Sequence, residues 1–345
     1  MKFGPCRRVM PFLCLGLSAA GAWAGMTGQQ LAEGAGQPIV GRAAPRLVVK
    51  TIDGATIDLG QLYGKRAVYL KFWATWCVPC REQMPHFERT YEAAGSDLAV
   101  IAVNAGFNDS IEDVRTYRQR LGLKMPIVLD DGRIGAALHL RVTPQHIVIG
   151  RDGRVLYVGH LADARLDAAI AAARAPAPQG AIVASGAATA ASAHYQVGDY
   201  LPALVQPTIG GQPFRLRDPG NARATVLVFL SPWCESYLAT TRPAVSASCR
   251  RMRERVSAVA GEPGTRWLGI ASGLWATPED VHEYQSKYHV QIPLALDESG
   301  DLFRAFRVTE VPAALVADSQ GRIVRRIELR DLQTDAALRA AIAAP

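Results

Sequence analysis

Two cysteines with two residues between them, Cys77 and Cys80, are the side chains of this sequence whose type and spacing speak most directly of chemistry. A thiolate at the first can attack a disulfide. A sulfur one helical turn further on can close a disulfide with it or release a partner from it. Val78 and Pro79 between them, and Arg81, Glu82, Gln83 and Met84 after them, suit the opening of a helix, where Pro79 loses no bond that the helix would make. Cys77 then lies at the positive end of the helix dipole, among free N–H groups that favour a thiolate. A zinc site would need a second Cys or His pair at similar spacing, and none follows, so no metal is expected. A purely structural disulfide is the remaining alternative.

The pair has to be held by something rigid. Val68 to Trp73 is an apolar run with β-branched and aromatic residues, which suits a buried strand. Ala74, Thr75 and Trp76 turn it into the helix. Further strands are expected at Leu47 to Thr51 and Thr56 to Leu59, joined through Asp53-Gly54, and at Leu98 to Asn104, Pro126 to Leu129, Gln145 to Ile149 and Arg154 to Val158. Ser110, followed by Glu112 and Asp113, caps a helix running to about Leu121, and Asp163 to Arg174 closes the unit as another helix.

The whole chain has 345 residues, 49% of them apolar, enough for two ordinary domains. Residues 1 to 24 read as a cleavable secretory signal: Lys2, Arg7 and Arg8, then an apolar run too short to span a bilayer comfortably, then Ala22-Trp23-Ala24. An uncleaved membrane anchor is the alternative. Loss of the three basic residues takes the formal charge from +7 to +4, and no basic cluster interleaved with aromatics argues for nucleic acid. Export leaves four cysteines, Cys77, Cys80, Cys234 and Cys249, in an oxidising compartment, the periplasm. Residues 25 to 39, rich in Gly, Gln and Ala, read as a flexible lead-in, and 175 to 196, rich in Ala and Pro, as a linker. The histidines show no ligand spacing.

The remaining stretch repeats the first. Val40-Gly41-x-x-x-Pro45 returns as Val197-Gly198-x-x-x-Pro202, and the same offset carries Phe72, Trp76 and Cys77 onto Phe229, Trp233 and Cys234. Pro144 and Gly153 have counterparts in Pro312 and Gly321. The expected fold class is therefore α/β, with two units of one kind at 40–174 and 197–345, each a central mixed sheet flanked by helices.

Both units resemble the thioredoxin fold. The first is similar to the TlpA/ResA group of exported thiol-disulfide oxidoreductases, on KFWATWCVPC, on Met84-Pro85, and on Leu140-x-Val142-Thr143-Pro144. The resemblance implies catalysis by Cys77 and Cys80, a cis bond before Pro144, and a client-facing role for Trp76, Thr143 and Pro144. It implies protein thiol or disulfide clients, net reduction fed by a membrane reductant of the DsbD type, and no cofactor beyond the redox-active disulfide. Two departures bear on this chemistry. Lys71 stands where thioredoxins carry a buried acid, and Gln83 where many of the group carry a glutamate, so these residues and Pro79 are expected to modulate the pair. A cation there would favour thiolate and make the site more oxidising than a typical thioredoxin, unless Lys71 snorkels out from the strand.

In the second unit Tyr237 occupies the second cysteine's position, so Cys234 has no local partner. Three readings stay open: a degenerate unit for binding or stability; a single-cysteine, peroxiredoxin-like centre using Cys234; and a Cys234–Cys249 disulfide. An unbroken helix would hold the last two about 22 Å apart, but Pro243 could break it. A cytochrome or copper-site assembly factor, with the second unit binding clients, is the alternative from a different class.

Overall fold

The structure, a computed structural model, describes Met1 and residues 26–176, 193–261 and 263–328. The expected signal segment, most of the linker and the end of the second unit lie outside the described residues. The first half runs α1 (Gly28–Gly36), β1 (Val48–Lys50), β2 (Thr56–Asp58), α2 (Leu59–Leu62), β3 (Ala67–Trp73), α3 (Val78–Glu82), α4 (Met84–Glu92), β4 (Leu98–Asn104), α5 (Ile111–Leu121), β5 (Ile127–Leu129), α6 (Arg133–Ala137), β6 (Gln145–Ile149), β7 (Val155–Gly159) and α7 (Ala164–Arg174). Its five-stranded sheet has the order β5-β4-β3-β6-β7, with β3, β4 and β5 parallel and β6 and β7 antiparallel to their neighbours. All seven residues of β3 and of β4 are buried, as near-continuous apolar strands covered on both faces must be.

The second half runs β8 (Val205–Pro207), β9 (Pro213–Arg215), β10 (Ala224–Leu230), α8 (Cys234–Thr241), α9 (Pro243–Val259), β11 (Thr265–Ser272), α10 (Pro278–Lys287), β12 (Leu294–Asp297), α11 (Asp301–Ala305), β13 (Ala313–Asp318) and β14 (Ile323–Ile327). Its sheet order, β12-β11-β10-β13-β14, and its strand senses repeat those of the first. The repeated Val-Gly segments do the same work in both: Gly41 N–H donates to Val155 O, and Gly198 N–H to Ile323 O.

The composition of residues 25–39 misleads. They hold α1, closed by a reciprocal capping box in which Thr27 Oγ1 accepts from Gln30 N–H and Gln30 Oε1 accepts from Thr27 N–H. Leu31, Ala32 and Ala35 are buried, and the helix lies along β7. Small residues permit that approach: a Cβ on Gly36 would come within 2.7 Å of Val158 Cβ.

One apolar cluster crosses between the halves, joining Trp73, Trp76 and Phe107 to Phe229, Phe303 and Phe306. Each sheet has a second cluster on its other face.

Candidate active site

Cys77 is the N-cap of α3, where β3 ends and the chain turns, and its Sγ lies 3.2 Å from the Cys80 N–H nitrogen. Pro79 sits in the first turn, as its fixed φ and missing N–H allow. Cys77 and Cys80 are joined in a disulfide with Cα atoms 5.2 Å apart. The Thr143–Pro144 peptide bond is cis, and the Thr143 carbonyl oxygen lies 3.3 Å from Cys77 Sγ. Trp76, Thr143, Pro144 and the two cysteines thus converge although the proline loop follows them by more than sixty residues.

Beneath the disulfide lies a buried polar layer. Lys71, in the middle of β3, is wholly buried rather than snorkelling, because β3 is the central strand and offers no route to solvent. Its Nζ is 3.5 Å from Cys80 O and 5.5 Å from the Phe87 ring centre, and burial pushes its pKa down to about 7. Across the strand pair Lys71 faces His146, whose pKa burial drives well below the usual imidazole range. His146 is therefore neutral. Its Nε2 donates to Gln83 Oε1 at 2.8 Å, which leaves Nδ1 to accept the Tyr69 O–H at 2.8 Å. Gln83 Nε2 donates to His160 O at 3.2 Å, and His160 Nδ1 donates to Pro144 O at 2.7 Å. Gln83 is thus the joint between the active helix and the proline loop. Spacing along the chain gave no sign of Tyr69, His146 or His160, since the chain joins three elements and depends on sheet register.

The second half lies over this site. The Trp76 and Trp233 rings stand 5.1 Å apart, and Val78 N–H donates to Tyr237 Oη at 3.0 Å. Cys77 is 1% exposed and Cys80 0%. A cleft of about 580 Å³ between the halves is lined by residues including Phe107, Asp130, Arg133, Phe303 and Arg304, but by neither cysteine, so it gives no access to the sulfurs.

Cys234 is bonded to Cys249, Cα to Cα 6.3 Å. The straight-helix separation fails because α8 ends at Arg242, whose φ of −142° leaves the helical region, and Pro243 starts α9 in a new direction. The bond gives the peroxiredoxin-like reading less support: joined to Cys249, Cys234 is 1% exposed and holds no free thiol. Like Thr143–Pro144, the Val311–Pro312 bond is cis.

A disulfide at a helix start beneath a cis-proline loop, on a mixed sheet of this order, defines a thioredoxin-like thiol-disulfide oxidoreductase, and the chain belongs to that family. Its relatives include the thiol-disulfide oxidoreductase ResA of Halalkalibacterium halodurans, 38% identical over 120 residues, 34% of this chain and 66% of the relative. The thioredoxin-like protein YneN of Bacillus subtilis is 34% identical over 122 residues, 34% of this chain and 71% of the relative. The shared stretch therefore spans about two thirds of those relatives' lengths. The AhpC/TSA family matches residues 40–158, a stretch that contains Cys77 and Cys80 but not Cys234. Among solved structures, a thiol:disulfide interchange protein from Chlorobium tepidum aligns with a TM-score of 0.36 at 24% identity, covering 39% of this chain and 97% of its own.

Proposed function

We propose that the protein is a periplasmic thiol-disulfide oxidoreductase, exported by residues 1–24, that reduces protein disulfides through Cys77 and Cys80. The observation that carries this reading is the contact of Cys77 Sγ with the Thr143 carbonyl at the cis-proline loop, at the start of α3. The Cys77 thiolate attacks a client disulfide, forms a mixed disulfide and expels one client thiolate. The Cys80 thiolate then attacks Cys77 Sγ, closes the Cys77–Cys80 bond and expels the second client thiolate, so two electrons pass to the client. Thr143, Pro144 and Trp76 border the client, and a membrane reductant of the DsbD type returns the electrons.

Lys71 and Gln83 set the poise. A glutamate at 83 would bring a negative charge beside the sulfurs; glutamine keeps the polar chain neutral, while Lys71 can meet a thiolate with a proton or a positive charge. The potential is expected to lie above thioredoxin's, about −270 mV. The second half is read as a second thioredoxin-like unit whose disulfide is structural.

Cys80→Ser is expected to accumulate mixed disulfides between Cys77 and client proteins, and Cys77→Ser to accumulate none. Mass spectrometry of unreduced complexes from exported protein reads both outcomes, and equal trapping by the two variants would refute the assignment of roles.

A further inference from the structure

The surface that the second half covers is the one a client must reach. Cys77, Cys80 and Thr143 are all at or below 1% exposure. No client disulfide can meet Cys77 Sγ until this contact opens.

The covering contacts are of two kinds. One kind is repeated when the halves are exchanged. Asn108 N–H donates to Thr309 O, three residues before Pro312, and Trp275 N–H donates to Arg141 O, three residues before Pro144, both at 2.8 Å. Trp76 Nε1 donates to Phe107 O and Trp233 Nε1 to Leu274 O, both at 2.7 Å. This is the packing of two like units.

The other kind is made by arginines and differs between the halves: Arg141 of the first donates to Gly273 O at 3.1 Å and Ala276 O at 2.9 Å and pairs with Glu298. Arg242, at the break between α8 and α9, donates to Thr75 Oγ1 at 2.6 Å, Asp109 Oδ1 at 2.8 Å and Asp113 Oδ1 at 3.0 Å. The repeat puts Pro232, Ala276 and Asp280 where the first half has Thr75, Asp109 and Asp113, and Pro85 where the second has Arg242. The complete socket therefore belongs only to the half that bears the Cys77–Cys80 pair. Asp109 is 7% exposed and is held by Thr75 N–H at 2.8 Å and Asn104 Nδ2 at 2.7 Å. Among the described residues its ion pair is with Arg242. A carboxylate fixed this deeply without a cation of its own half is costly unless something brings one. Three acceptors arranged around one head suit the flat, forked guanidinium better than an ammonium.

We infer that Thr75, Asp109 and Asp113 form a client-recognition socket for an arginine carried near the client's disulfide, and that Arg242 is an internal stand-in which a client displaces. The inference rests on the exchange reading above. The socket begins two residues before Cys77, and Trp275, held at Arg141 O, also donates its Nε1 N–H to Thr143 Oγ1 at 3.3 Å. An extended client segment in the place of Trp275 would bring its cystine to Cys77 Sγ and its arginine to the socket.

Two readouts that need no disulfide exchange test this on the full-length protein. In reduced protein, Arg242→Ala should raise the rate of Cys77 alkylation by iodoacetamide about tenfold or more, because opening no longer breaks a buried charge pair. Arg242→Gln is the second variant should alanine disturb folding. Cysteine-free peptides that differ only in Arg, Ala or Glu should bind Arg242→Ala with the Arg peptide about tenfold tighter than the Ala peptide by calorimetry, and Asp113→Asn added to that variant should shrink the difference. Unchanged alkylation, or equal affinity for the three peptides, would overturn the socket. Oxidation of the reduced parent by glutathione disulfide reports separately on the exchange reading.

Discussion

Lys71 is an amine beneath a disulfide with no ion-pair partner among the described residues, and that makes its charge state a property of the fold. Its ordinary pKa of 10.5 falls to about 7 through burial. Between about pH 7 and 10 the unfolded chain holds a proton that the folded chain has released, so stability rises with pH across that window; below it the whole penalty stands. Lys71→Met removes the penalty at similar side-chain length. The variant should be more stable than the parent by roughly 3–5 kcal/mol at pH 6 and by little at pH 10, as read by urea unfolding of the oxidised protein. A gain of equal size at both pH values would show that packing, not the proton, is responsible. The same variant should have a lower reduction potential, by about 30 mV for each 1.4 kcal/mol of thiolate stabilisation lost. Lys71, Cys77 and Cys80 were legible in the sequence because they are neighbours on one strand–turn–helix. The Tyr69–His146–Gln83 chain was not, because hydrogen bonds between elements follow register rather than spacing.

At the scale of elements, α8 and α9 show how one residue can redirect a segment. Pro243 breaks the run after Cys234 into two helices, and the angle brings Cys249 to Cys234 and Ser246 Oγ to Glu235 O at 2.7 Å. Arg253 turns inward to Glu235 at 2.7 Å. Closing a loop of 15 residues removes chain entropy worth about 3 kcal/mol from the unfolded state. Cys249→Ser should therefore lower the stability of the oxidised protein by about that amount, with the loss vanishing when parent and variant are compared in reductant; a difference that persists there would locate it in packing. The strands and the Ser110-capped helix were readable because hydrophobic period and capping are local signals. Helix α1 was missed because its buried face is made of Leu31 and small residues, too little apolar area to stand out from a flexible segment of similar composition.

At the scale of the whole molecule, the repeat was visible as matching prolines, glycines and tryptophans, but the way the halves meet was not. Asp109 and Arg242 stand 133 positions apart in the chain, and only the three-dimensional packing makes them a pair. If that packing binds the halves as firmly as its shared apolar cluster suggests, damage to either should be felt by both. Two glycines at equivalent positions allow a direct comparison. A Cβ on Gly106 would stand 2.0 Å from Asp130 O, at a φ of +64° that already disfavours side chains, and a Cβ on Gly273 would stand 2.4 Å from Glu298 O. Both obstacles are backbone, so neither can swing aside, and each alanine should cost on the order of 3 kcal/mol or more. Gly106→Ala and Gly273→Ala should each lower the midpoint of a single urea transition, followed by tryptophan fluorescence and by far-ultraviolet dichroism, with the two probes coinciding. The alternative is explicit: if Gly273→Ala splits the curve and leaves one transition at the parental midpoint, the halves fold independently.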